Sequence, residues 1–370
     1  MPFSLDLARL SLAPQGGSIA APLPGKDVLR CWPHDYDSSG ENAIWCRSVS
    51  WPKFLARDAA PKHDSSFEPF ALNYAFAALY PWIPSGIARD GRAVLFSVDG
   101  SDAFTRKQKN FYRMLAYITH YPTVNNLDMM SCLGCSVGTF YEQVVPCIYS
   151  TATHINFLDF NLRLWEYNHT ETFLERVTLV VDGFPIPVNQ PTNRFLHRLL
   201  HAGKYKETIV KGEYTIAIGP GFPIDYCGPH IGVRHDSRLW MDNHIRRAKM
   251  FKWEYGLGDK AYIACPELLT EYKLPPRRRN QPPPPPLTPA QIEWNLTLQH
   301  YRGRVEHLIG GLVQSRKTLN TKWRGSFSLL AAIMKIAAHM HGLEERMKGP
   351  RYDVFGPWPV CPAHIVAAYP

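Results

Sequence analysis

The 370-residue chain lacks any uninterrupted apolar run near the ~18 residues a membrane span needs. The best candidate, Leu329 to Met340, is broken by Lys335 and His339, so a membrane role is not expected. No basic stretch followed by an apolar one opens the chain, which argues against secretion and makes the sequons at Asn168 and Asn295 chance matches. The eight cysteines are widely spread, as suits reduced thiols inside a cell rather than a disulfide framework. Cys132 and Cys135 form a CxxC, but no second pair stands at zinc-finger spacing; two small buried residues in a helix-turn are the expectation there. There is no internal repeat and no evident motif for a covalent nucleophile.

What is present is positive charge and a set of well-placed carboxylates. A net charge of +9 and a pI near 9.1 favour an anionic partner, although charge supplies affinity rather than sequence choice. The length suits one large or two modest domains with a sizeable core. Asp182 closes the β-branched run Val177-Thr178-Leu179-Val180-Val181, Asp259 lies in Leu257-Gly258-Asp259-Lys260-Ala261-Tyr262, and Glu306 lies in Arg302-Gly303-Arg304-Val305-Glu306. Two carboxylates at strand ends and a third on a later helix suit hard divalent cations, which take oxygen ligands. In a basic chain such a site points to phosphodiester chemistry on nucleic acid. Each residue has a plainer reading: an Asp-Gly turn for Asp182, a turn cap for Asp259, and for Glu306 a pairing with Arg302 one helical turn earlier.

The order of motifs from Val177 to Arg316 resembles the nuclease domain of PIF/Harbinger-type DDE transposases. The matching pieces are Val181-Asp182-Gly183, Lys204-Tyr205-Lys206, His235-Asp236-Ser237-Arg238, the Asp259 segment and the Glu306 segment, with 47 residues from Asp259 to Glu306. The chain departs from the family where Pro-Gly-Ser is usual before His-Asp: it reads Cys227 to Arg234, with Gly228-Pro229 inside. The resemblance implies an α/β, RNase H-like fold: a mixed sheet flanked by helices, preceded by a small helical, helix-turn-helix-like domain. It makes Asp182, Asp259 and Glu306 the catalytic residues. With Asp236 they are the metal ligands, holding two Mg²⁺ or Mn²⁺ ions roughly 3.5–4 Å apart. Arg302 and His235 would support them, and Lys204, Lys206, Arg238, Arg246 and Arg247 would hold the DNA backbone. The implied activity is cleavage and joining of DNA at transposon ends, or the work of a host nuclease derived from such an enzyme. The alternative is a domesticated, non-catalytic DNA-binding or scaffolding protein. A Myb-like helper protein, a nuclear setting and a homo-oligomer follow from the resemblance alone.

Along the chain, residues 1–100 are rich in Pro, Gly, Ser and aromatics and read as an irregular arm with short structured patches. A helical domain over 101–165 follows. Phe111, Met114, Leu115 and Ile118 mark one buried helix face, and Arg106, Lys107, Lys109 and Arg113 lie on the other side. A short helix containing Leu127, Met130 and Leu133 precedes a turn at Gly134, and Ser136 is placed to cap a further helix with Val137, Phe140, Val144 and Ile148 on its core face. The nuclease domain spans 175–345. In it Pro185 and Pro187 are expected to end the first strand's pairing, and Ser237 to Met250 to form a basic helix. Asp236 would then be either a ligand or that helix's cap. A proline-rich insertion at 275–289 carries Arg277-Arg278-Arg279 and five prolines, Pro282 to Pro286. After it, Thr288, Pro289 and Gln291 spell the start of the Glu306 helix. Gly303, Gly310 and Gly311 suggest close packing or fraying there. A second apolar helix, Phe327 to Met340, is expected to cover the sheet, and a Pro-rich tail fills 346–370.

Overall fold

The computed structural model describes residues 69–84, 86–87, 93–94, 100–122, 124–164, 176–274 and 285–349. The first part of the arm, the core of the proline-rich insertion and the tail beyond 349 lie outside the described residues. No described helix is long and apolar enough to cross a membrane. The chain divides into two compact units.

One unit contains residues up to Phe157 together with Ser315–Thr321 and Gly325–Glu344. Its helices are α1 (Pro69–Leu79), α2 (Gly100–His120), α3 (Asn126–Leu133), α4 (Val137–Thr139) and α5 (Val145–His154), with a π-helical turn at Phe140–Val144. A two-stranded pair, β1 (Gly86–Ile87) and β2 (Ala93–Val94), lies between α1 and α2. α1 and the β1–β2 pair fall within the arm, and Phe76 of α1 packs its ring 5.5 Å from that of Phe111. Phe111, Met114, Leu115 and Ile118 are buried, as are Phe140, Val144 and Ile148. Gly134 sits at φ 60 as the C-cap of α3, and Ser136 accepts from the Thr139 amide as an N-cap. Two details differ from the sequence pattern. Leu127 and Met130 are exposed while Met129 and Leu133 are buried. Lys107 is buried with its ammonium donating to the Tyr80 carbonyl, so it is not a solvated surface charge, and the half-buried Arg113 donates to the carbonyls of Leu133 and Gly134.

The other unit holds Leu158–Gln314 and Lys322–Arg324, with the chain from Glu345 onward. It is α/β, with six strands in a mixed sheet. The strands are β3 (Val177–Pro187), β4 (His201–Ala202), β5 (Glu207–Ala217), β6 (Pro223–Ile231), β7 (Tyr255–Leu257) and β8 (Leu268–Leu269). β3 is antiparallel to β5 on one side and parallel to β7 on the other. β5 also pairs with β6 and β4, and β7 runs parallel to β8. Helices α6 (Arg194–Leu200), α7 (Asp236–Asp242), α8 (His244–Ala248) and α9 (Pro289–Gln314) flank it. This is the RNase H-like arrangement, with three antiparallel strands continued by two parallel ones.

β3 continues through both of its prolines, contrary to the expectation that they end it. Val188 donates to the Thr208 carbonyl beside β5, whereas Pro187 accepts from, and Asn189 donates to, Trp323 on the opposite side. Odd-numbered positions therefore face away from β5, where a missing proline N–H costs no ladder bond. The expected basic helix at Ser237–Met250 is two short ones, α7 and α8, divided at Asn243, whose side chain accepts from the Arg246 amide.

α9 begins as its sequence spells it. Gln291 donates its amide to Thr288 Oγ1, and Thr288 donates its amide to Gln291 Oε1. Trp294, Leu298, Tyr301, Val305, Leu308 and Leu312 recur at alternating four- and three-residue steps, and all are buried. This stripe faces β3 and β5. A Cβ added at Gly303 or Gly310 would meet nothing within 4 Å, so neither of these two marks close packing, and the helix runs on to Gln314 without fraying after Gly310. Two further short or late helices, α10 (Lys317–Asn320) and α11 (Phe327–Lys348), complete the order. Residues through Glu344 of α11 group with the helical unit rather than with the sheet.

Candidate active site

The register of the parallel strands sets the first two carboxylates side by side. Val180 of β3 stands opposite Leu257, the last residue of β7, so Asp182 within β3 and Asp259 just past the end of β7 each come two residues after that pair. Gly258, between Leu257 and Asp259, has no room for a side chain, since a Cβ there would come 2.9 Å from the Tyr262 side chain. Asp259 also caps the short turn Lys260–Tyr262, its Oδ1 accepting from the Ala261 amide at 2.8 Å. Alternation along β3 decides which face each side chain occupies. Leu179 and Val181 pack with Trp240 of α7, Tyr262 and Leu268 on one face. Asp182, of opposite parity, projects toward α9 and reaches Arg302, whose Nη2 lies 3.8 Å from Asp182 Oδ2.

Arg302 and Glu306 lie one turn apart on α9, each directly after a buried stripe residue (Tyr301, Val305), so both flank the sheet-facing stripe. Arg302 Nη2 donates to Glu306 Oε1 at 3.1 Å, and its Nη1 donates to Glu271 Oε1 at 2.9 Å. Glu271 follows β8, is buried, and takes a second cation, Lys260, at 2.9 Å. A cavity of about 430 Å³ is lined by Asp259, Lys260, Glu271, Gln299, Arg302 and Glu306.

The electrostatics tie these groups together. Burial raises the Asp182 carboxyl from an ordinary 3.8 to about 6; Arg302 opposes the rise, Asp259 adds to it, the Gly183 amide opposes it and Glu306 adds again. Asp259 and Glu306, from two distant segments, thus both act on the Asp182 carboxyl. Burial also raises Glu271, but Lys260 and then Arg302 outweigh it and hold the carboxyl below its ordinary value. Lys204, exposed in the β4–β5 turn, is held above its usual range: partial burial opposes this, while Tyr205, Asp259, Asp236 and Asp182 outweigh it. Lys206 is exposed in the same turn, in the left-handed region at φ 55.

Asp236 belongs to the other face of β3. It is the first residue of α7 rather than the residue before it, and it caps nothing there; Lys211 donates to its Oδ1 at 2.9 Å. A Cβ on Gly183 would come 3.5 Å from that same oxygen, on the side opposite to Asp182. His235 holds the cap position, and its Nδ1 lies 2.8 Å from Ser237 Oγ. Arg238 is exposed. Arg246 is not available to DNA: it is buried, its guanidinium bonded to the fully buried Glu213 and to Asp225. Arg247 is half-buried and paired with Glu267. Both had read as surface charges because a basic dipeptide in a helix carries no sign of acidic partners 20–33 residues away.

Glu271 was missed by sequence reasoning, although it shares a signal with Asp259, an acid two residues beyond a short apolar strand. The half-buried carboxylates Asp182 and Asp259 and the exposed Glu306 are hard oxygen donors, a donor set that fits the chemistry of a divalent cation. Among the described residues, however, no group of three or more His, Cys, Asp or Glu side chains stands close enough to hold one ion together. Arg302 stands among the carboxylates instead.

Residues 181–342 match the family model described as DDE superfamily endonuclease. The matched segment carries Asp182, Asp236, Asp259, Glu271, Arg302 and Glu306, and the match supports a nuclease- or transposase-like function. No curated protein and no solved structure matches the chain.

Proposed function

We propose that the sheet-bearing unit is a metal-dependent DNA endonuclease of the transposase type, with Asp182, Asp259 and Glu306 as its metal ligands. The observation that carries this reading is the half-buried Asp182 beside Arg302 at 3.8 Å, with Asp259 and Glu306, from distant segments, both acting on its carboxyl. A fold keeps such a charge cluster where a cation is to be held. Bound there, divalent cations would lower the pKa of the attacking hydroxyl and neutralise the leaving oxygen. Asp182 would meet a cation as its carboxylate, and Arg302 would orient Glu306 through their shared contact. Lys204, Lys206 and Arg238, all exposed, supply phosphate contacts. Asp236 is a weaker candidate, since Lys211 already neutralises it. The motif order favours a PIF/Harbinger-type element acting at transposon ends in the nucleus, with a Myb-like helper.

A second reading, a DNA-binding or scaffolding protein without catalysis, is favoured by Arg302 tying up Glu306 and Glu271. Nicking of duplex DNA in Mg²⁺ and Mn²⁺ at fixed ionic strength separates the two. Glu306→Gln should cut orders of magnitude more slowly while binding DNA with unchanged affinity and salt dependence. Wild-type protein that binds DNA but never nicks it decides for the second reading. A variant that cuts as fast as wild type removes Glu306 from the site.

A further inference from the structure

Arg302 is a single guanidinium shared among three carboxylates. Nη1 is 2.9 Å from Glu271, and Nη2 is 3.1 Å from Glu306 and 3.8 Å from Asp182. A guanidinium and a divalent cation compete for the same oxygen lone pairs on Asp182 and Glu306, so what holds Arg302 bears on whether a cation can enter. The position of Glu271 is built into the fold. Trp294 of α9 donates its indole N–H to the Thr270 carbonyl. Asn295 clamps Tyr272 from both sides, its Nδ2 donating to the Tyr272 carbonyl and its Oδ1 accepting the Tyr272 amide. Glu271, between those two anchored residues, faces Arg302 two turns further along the same helix and is 4% exposed.

We infer that Glu271 is a positioning residue that anchors Arg302 as a displaceable counter-ion, so that the guanidinium neutralises Asp182 and Glu306 without a cation and withdraws onto Glu271 when one binds. The inference rests on the proposed reading of Asp182 and Glu306 as metal ligands. Nη1 keeps its partner in both states, so cation entry costs Arg302 only its Nη2 contacts and leaves no buried charge unpaired. Without Glu271, Asp182 and Glu306 become the guanidinium's main anionic partners, and it competes harder for them.

The test is a double-mutant cycle on Mn²⁺ affinity, read by calorimetry on the full chain, with thermal unfolding to verify folding. Glu271→Gln should weaken Mn²⁺ binding roughly tenfold, within the range for groups in one network. Arg302→Gln should tighten it by at least about threefold, and in that background Glu271→Gln should change it less than about twofold. If Glu271→Gln weakens binding equally with and without Arg302, Glu271 acts only as a nearby negative charge and the inference falls. If Glu271→Gln fails to fold, Arg302→Gln binding Mn²⁺ no tighter than wild type overturns the inference on its own. Wild-type protein that binds no Mn²⁺ through Asp182 overturns the metal-site reading as well, a result distinct from a bound ion indifferent to Glu271.

Discussion

Replacing Asp182 with asparagine should stabilise the cation-free protein at neutral pH, and the gain should disappear in acid. In the unfolded chain the carboxyl ionises near 3.8, and in the folded protein near 6, because burial raises it and Asp259 and Glu306 add to the rise against Arg302 and the Gly183 amide. The folded state therefore holds the proton to higher pH. Its advantage from this group is complete below 3.8 and is lost as pH rises through about 6. The gap corresponds to about 3 kcal/mol, and Asp182 is buried enough (side chain 19% exposed) for solvent screening to leave most of it. Asparagine keeps an oxygen for the Gly183 amide, now bonded to Asp182 Oδ1 at 2.8 Å, and carries no charge. Urea unfolding in EDTA from pH 3.5 to 8 should show Asp182→Asn gaining up to about 3 kcal/mol over wild type by pH 7.5. Mn²⁺ should then stabilise wild type but not the variant. A stability difference that is flat with pH, or that turns against asparagine as pH rises, would mean that Arg302 outweighs burial and that Asp182 is an ordinary ion-pair partner.

Asp236→Asn should keep more than about a tenth of wild-type nicking, because Lys211 rather than a cation neutralises this carboxylate; a loss of several orders of magnitude would place Asp236 among the ligands. Arg246→Met should destabilise the protein by about 3–5 kcal/mol at neutral pH, since it strands Glu213 as an unpaired charge with no exposure to water. Denaturant unfolding checks this, and a change under about 1 kcal/mol would mean that Glu213 takes up a proton or finds another partner.

Wherever neighbours within one or two helical turns decide the outcome, the amino-acid order was enough. The reciprocal bonds of Thr288 and Gln291, the Ser136 cap and the Gly134 turn are each made by atoms three or four residues apart, so spacing alone specifies them. The apolar run to Asp182 likewise specifies a central strand. Long-range partners were decided elsewhere. Pro185 and Pro187 stay in β3 only because their nitrogens face away from β5. Arg246 looks like a DNA contact until β5 and β6 bring Glu213 and Asp225 against it. Glu271 is one acid among many in the sequence, and only the packing of the β8 end on α9 sets it against Arg302. A charge in sequence has no fixed partner, because Coulomb energy depends on distance and on exclusion of water, and both are set when the sheet and its helices close around the site.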